Sequence, residues 1–134
     1  MKKSYPLITI ATVTFNAEDV LERTLQSVER QNYPRIEHLI VDGCSTDNTL
    51  SLVRQCVERN VNPMHNIRIV SETDKGLYDA MNKAIALAEG DYIVFLNAGD
   101  KLHADDTIEE MVKTIEWEHR GVNPAVVYGE TDLV

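Results

Sequence analysis

The residues whose types suit chemistry come in short groups, each directly behind an apolar run. Thr14, Phe15 and Asn16 follow "LITIATV", Asp42 and Ser45 follow "IEHLIV", Asp74 and Lys75 follow "IRIVSE", and Asn97 and Asp100 follow "YIVFL". Taken singly, each is an ordinary turn residue, because Asn, Asp, Ser and Gly are what a chain uses to leave a strand. Taken together they are an acidic and aromatic set suited to a nucleotide and a cation. A carboxylate at Asp42 accepts a hydrogen bond from a ring N–H, the group an imide-containing base such as uracil offers, while Phe15 lies against the base. Asp100 stands on a turn beside Gly99 with no bulky neighbour, so it can reach a divalent cation that bridges diphosphate oxygens and stabilises them as a leaving group.

These groups need elements to hold them. "LITIATVTF" (7–15) is β-branched and alternating, and Asn16 with Asp19 has the spacing of a capping box for a helix carrying Leu21, Thr24, Leu25 and Val28 as one stripe. After Pro34, "IEHLIVD" (36–42) predicts a second strand, and "GCSTDNT" leads into a helix with Leu50, Val53 and Val57 on one face. "IRIVSE" (67–72) is a third strand, the alanine-rich "GLYDAMNKAIALAEG" a helix stopped by Gly90, and "DYIVFLN" a fourth strand. Asp105 or Asp106 starts a helix through Ile108, Met111, Val112 and Ile115, and "AVVYGE" starts a fifth strand. Strands alternating with helices predict an α/β domain, with a mostly parallel sheet and helices on both faces. Ligands of such sheets sit outside the carboxyl ends of the strands, which is where all the groups above would meet.

The composition agrees with one domain over residues 1–134: 43% hydrophobic, 26% charged, with no linker or internal repeat. A formal net charge of −9 leaves no basic face for phosphate backbones, so nucleic acid is not an expected partner. No apolar run reaches the roughly eighteen residues that span a bilayer, and Met1-Lys2-Lys3 runs into an alternating strand rather than an export signal. Cys44 and Cys56 fit plain thiols of a reducing cytoplasm. There is no G-x-G-x-x-G, P-loop or G-x-S-x-G, and His38, His65, His103 and His119 lack metal-ligand spacing; His103 alone is worth watching, for its nearness to Asp100.

Four blocks, "VTFN", "LERTLQSVERQNYPRIEHLIVDGCSTDNT", "DKGLYDAMNKAIALAEGDYIVFLN" and "YGETD", resemble in order the pattern of glycosyltransferase family 2, whose members use nucleotide sugars on a GT-A fold. The resemblance places Thr14, Phe15, Asn16 and Glu18 at the nucleoside, Asp42 at the base and Asp74 near base and ribose, with Ser45, Lys75 and Asn97 at the same edge. Where members usually carry D-x-D this chain reads Asn97-Ala98-Gly99, which makes Asp100 the nearest metal-binding acid. Ala84 and Gly43-Cys44 also depart from the commoner residues.

The resemblance implies an inverting transferase of bacterial cell-surface polysaccharide synthesis. Its donor would be a nucleotide-diphosphate sugar, with UDP the expected nucleotide, its acceptor a saccharide or lipid-linked saccharide, and its cation magnesium or manganese. It also implies that the chain is the donor-binding part of a longer domain. The catalytic base is then expected beyond Val134, giving binding without turnover, and an uncovered fifth strand would favour self-association. The same likeness implies a cytoplasmic protein, with peripheral association at the inner membrane face as an option. The alternatives are a non-catalytic nucleotide-sugar-binding or assembly module, and a sugar-phosphate nucleotidyltransferase, which wants a glycine-rich basic loop where this chain has "TFNAED".

Overall fold

The structure, a computed structural model, describes residues 5–60, 62, 65–118 and 126–128, without the side chains of 116–118 and 126–128. Its elements in chain order are β1 (Ile8–Thr14), α1 (Leu21–Glu29), β2 (Ile36–Asp42), α2 (Thr49–Arg59), β3 (His65–Ser71), α3 (Leu77–Leu87), β4 (Tyr92–Phe95), α4 (Thr107–Glu118) and β5 (Val126–Tyr128). The strands form one sheet in the order β3-β2-β1-β4-β5, and every neighbouring pair is parallel. Of the expected fifth strand only Val126–Tyr128 is described; Gly129 and Glu130, like His119, lie outside the described residues.

In-register pairing sorts the side chains into two faces. Ile8 lies beside Ile36 and Tyr92, and Ile10 beside His38 and Val94. This face is covered by α4 through Ile108, Val112 and Ile115, and by α1 and α2 through Leu21, Leu25, Val53 and Cys56. Ala11, Leu39, Val41 and Ile93 face the other way, where Ala80 and Ala84 bring α3 close. Ile8, Ile10, Ile36, Leu39 and Ile40 are almost wholly buried, worth about 1.5–3 kcal/mol each relative to exposure. The Lys113 pairs with Glu109 and Glu110 on α4 are exposed and screened by solvent, so the sheet faces and not surface charge hold the helices.

The apolar stripe of α1 is as expected, with Leu21, Thr24, Leu25 and Val28 all buried. That of α2 is rotated: Thr49, Val53 and Cys56 face the sheet, while Val57 is 41% exposed. The i, i+4, i+7 set wins because it continues onto Ile40 and Leu25, whereas Val57 lies one step round the helix. Burial pushes the Cys56 thiol up to about 11, with Glu29 adding to the effect. A second difference is at Asn16, which does not cap α1. The first helical N–H groups there are met by the Ala17 carbonyl, which accepts from Val20 and Leu21.

At the amino end of the strands, buried Glu37 accepts from the Thr9 hydroxyl (2.8 Å), the Arg68 guanidinium (2.7 Å) and the Glu89 N–H (3.0 Å), and Arg68 also donates to the Leu87 carbonyl. This ties the end of α3 to the sheet. Gly90 belongs to that junction and not to the helix stop, since α3 ends at Leu87 and Ala88 is already extended. A Cβ at position 90 would lie 2.5 Å from Thr9 Oγ1 and 2.6 Å from Thr9 N. Gly90→Ala is therefore expected to lower stability by about 1–3 kcal/mol, seen as a lower urea midpoint at unchanged slope. An unchanged midpoint would mean that this junction yields freely.

Candidate functional site

The three strands β1, β2 and β3 end on one aligned row, Thr14 beside Asp42 beside Ser71. The Asp42 carboxylate is fully buried and takes four hydrogen bonds. Its Oδ1 accepts from the Thr14 hydroxyl (2.6 Å) and the Ser45 hydroxyl (2.6 Å); its Oδ2 accepts from the Ser45 N–H (2.8 Å) and the Ser71 hydroxyl (3.0 Å). Burial by itself would push this carboxyl up, yet the bonds from Ser45, Thr14 and Ser71 outweigh it and hold the group below the usual carboxylate range. The sequence reading has Asp42 touching a base directly. In this conformation its lone pairs are occupied by the protein, and it acts as the buried knot that fixes the loop after β2.

That loop and the one after β1 are laced together. Asn16 takes a positive φ of 48°, which Asn tolerates better than most residues, and in that pose its N–H donates to Ser45 Oγ (2.8 Å) while its Oδ1 accepts from the Thr46 N–H (2.8 Å). Ala17 N–H donates to Thr49 Oγ1, Glu18 N–H to Asp47 Oδ2, and Asn48 Nδ2 to the Glu18 carboxylate. Phe15, by contrast, is 63% exposed. Strand alternation puts it on the α3 side, toward the end of the helix that carries the exposed Leu77 and Tyr78. Among the described residues, then, those expected at the nucleoside divide into a hydrogen-bonded polar floor and one exposed aromatic side chain, Phe15.

After β3, Asp74 Oδ1 accepts from the Gly76 N–H (3.1 Å), and its other oxygen packs so close to Gly43 that a Cβ there would come within 2.8 Å. Glycine at 43 is thus what lets the loops after β2 and β3 touch. Lys75 is exposed, its N–H held by Asp79 Oδ2. After β4, Asn97 is exposed, Gly99 turns the chain at φ 98°, and Asp100 is half-buried. Among the described residues no hydrogen bond or ion pair uses the Asp100 carboxylate, and no group of three or more His, Cys, Asp or Glu is arranged to hold a metal. One available carboxylate does not make a protein cage for a cation. It does fit an ion such as magnesium that keeps waters and is shared with substrate phosphates.

All ten of the residues singled out from the sequence, from Thr14 to Asp100, lie at the carboxyl edge, though Asp42 lies beneath its surface. His38 is structural: its ring meets the Thr12 hydroxyl (2.8 Å), and burial pulls it down to about 3, so it is a neutral core group. His65 meets the Tyr33 carbonyl, and His103 is simply exposed. The sequence reading missed Ser71 and Asp47, and also Thr24 and Ser27 of α1 and Gln31 just past its end, which bind the backbone around Asp100. The signal for the last three is polar residues at helical spacing along one flank of α1 and just beyond its end.

Strand-end loops gathered on the carboxyl edge of a parallel sheet wound with helices on both faces define an α/β protein of the kind whose ligands generally sit at that edge. The chain belongs to glycosyl transferase family 2, which it matches over residues 9–133. It is 36% identical over 125 residues to a PGL/p-HBAD biosynthesis glycosyltransferase of Mycobacterium bovis, covering 93% of this chain and 46% of that protein. It is 38% identical over 100 residues to a putative teichuronic acid biosynthesis glycosyltransferase, TuaG, of Bacillus subtilis, covering 75% and 38%. Among solved structures, the mannosyltransferase PcManGT from Pyrobaculum calidifontis, in complex with GDP-Man and Mn2+, superposes with a TM-score of 0.75 at 32% identity, covering 84% of this chain and 33% of that one. The fold is that of the GT-A glycosyltransferases. The chain spans less than half the length of these relatives. Among the described residues no helix is long and apolar enough to cross a membrane.

Proposed function

We propose that the protein is an inverting glycosyltransferase whose donor is a nucleoside diphosphate sugar, and that the carboxyl edge described above is its donor site. The observation that carries this reading is the joining of the loops after β1 and β2 into one floor, with Phe15 exposed beside it and an uncommitted carboxylate, Asp100, at the next strand end. Phe15 offers the base a stacking face. Thr14, Asn16, Glu18 and Ser45 shape the nucleoside end from backbone and hydroxyl groups, and Asp42 acts through them unless a base N–H displaces one of its hydroxyl partners. Asp74 and Asn97 border the ribose and diphosphate, and Lys75 meets the diphosphate charge.

Magnesium or manganese, held by Asp100 together with the diphosphate, would neutralise the charge that builds on the leaving group. The manganese and GDP-Man in the mannosyltransferase complex support that assignment. Uridine is the nucleoside proposed from the sequence; guanosine also carries a ring N–H, at N1, so the two compete for this role. Relatives named for teichuronic acid and PGL synthesis support a saccharide or lipid-linked acceptor of the cell surface.

Calorimetric titration of residues 1–134 with UDP, GDP, uridine and guanosine, with and without manganese, tests the donor site. One diphosphate is expected to bind with a dissociation constant between about 1 μM and 1 mM, the span of typical Michaelis constants. Absence of binding by both at millimolar concentration would remove the donor-site assignment.

A further inference from the structure

The connection from β4 to α4, which carries Asp100, is held by neither sheet nor helix along most of its length; it is held by side chains of α1 and of the turn that follows it. Thr24 and Ser27 on one flank of that helix, and Gln31 two residues past its end, follow the spacing i, i+3 and i+7 and are all buried. Thr24 Oγ1 accepts from the Gly99 N–H (2.8 Å) and donates to the Asp100 carbonyl (2.6 Å). Ser27 Oγ accepts from the Leu102 N–H (3.1 Å). Gln31 donates from Nε2 to the Ala104 carbonyl (2.7 Å) and accepts at Oε1 from the Ile108 N–H (3.0 Å). Just past the helix, the Asn32 N–H donates to the Asp105 carbonyl (2.9 Å).

Packing alone does not ask for these residues. Apolar residues of matching volume at the three positions would fill the space but would leave backbone N–H groups of the connection unpaired away from water. Thr24 is the informative member, because its single oxygen grips the chain on both sides of the Gly99–Asp100 peptide. Resting on the reading of Asp100 as the acid that meets the cation and diphosphate, we infer that Thr24, backed by Ser27 and Gln31, is a positioning residue that holds Asp100 at the carboxyl edge. It touches no ligand itself; α1 thereby couples the floor formed around Asn16 and Ala17, at its amino end, to the diphosphate end of the site.

The test compares wild type, Thr24→Val and Thr24→Ser, titrating UDP and uridine, or GDP and guanosine if those bind, with and without manganese. Valine keeps the shape and removes the hydroxyl; serine restores it. The expected result is that Thr24→Val cuts the manganese-linked gain in diphosphate affinity at least fivefold while nucleoside affinity stays within twofold of wild type, and that Thr24→Ser recovers the gain. A merely structural residue would lower nucleoside and diphosphate binding alike. A gain that survives intact in Thr24→Val overturns the positioning role and leaves the Asp100 reading standing, whereas no gain in the wild type overturns both. If Thr24→Val does not fold, Ser27→Ala, which removes the acceptor for Leu102 together with a local bond to the Thr24 carbonyl (2.9 Å), carries the same comparison with an expected loss of at least twofold.

Discussion

Asp42→Ala is expected to destabilise the protein by about 3–5 kcal/mol, as large an effect as a single substitution outside the apolar core should have here. Removing the carboxylate deprives the Thr14, Ser45 and Ser71 hydroxyls and the Ser45 N–H of their acceptor at once, in a place with no exposure to water. Each stranded donor costs about 1–3 kcal/mol, reduced where a hydroxyl can turn to another partner. The pH dependence has a definite sign. The folded-state pKa of Asp42 is lowered, so its stabilisation is complete above the unfolded carboxylate range near about 4 and is lost as the pH falls through the folded value. His38 is also lowered, to about 3 from 6.5, so its contribution fades from about pH 6.5 downward as the unfolded ring gains a proton that the folded ring refuses. Urea unfolding at pH 7, 5 and 3.5 should show the wild type weakening throughout that descent, with Asp42→Ala starting lower and losing less in the last step. Equal midpoints for the two proteins at pH 7 would mean that the four hydrogen bonds contribute nothing net.

Asp100→Asn is expected to do the opposite: leave the fold alone and remove function. No described hydrogen bond or ion pair depends on the Asp100 carboxylate, since the contacts that hold this turn run through the Gly99 N–H and the Asp100 carbonyl. The amide preserves shape and removes charge, so an ion shared with a diphosphate loses its one protein anion. In the presence of manganese, diphosphate affinity should fall at least about tenfold, roughly 1.4 kcal/mol, while uridine or guanosine binding and the thermal midpoint stay where they were. Manganese-independent binding in both proteins would reduce Asn97 to Asp100 to a turn that happens to carry an acid.

How far the sequence foretold this molecule depends on how far apart the interacting residues are. The strands, the alternation and the α1 stripe are local patterns, and Leu21, Leu25 and Val28 are buried as their spacing requires. The gathering of strand-end residues on one edge follows from a parallel sheet, and it holds for Thr14, Asp42, Asp74 and Asp100 alike. What was illegible is which polar atoms were already taken. That Asp42 is saturated depends on Thr14, 28 residues before it, and on Ser71, 29 residues after it. The Thr24 contact to Gly99 spans 75 residues, so Thr24 reads locally as one more member of an apolar stripe. The α2 error over Val57 and Cys56 is of another kind: both fit a helical period, and only the neighbouring Ile40 and Leu25 decide between them.

The parallel sheet has a further consequence, in time rather than space. No two paired strands can be joined by a tight hairpin, and β1, the middle strand, has partners far apart in the chain, since Ile8 lies beside Ile36 on one side and Tyr92 on the other. A chain emerging from its amino end can pair β1 with β2 early, but β1 keeps one open, apolar edge until β4 arrives. Closing that second ladder is a long loop closure that local structure does little to assist, which places this sheet among the slower-folding topologies. During that interval the exposed strand can pair with another chain, so the crowded period of its own synthesis is when this protein is most open to aggregation.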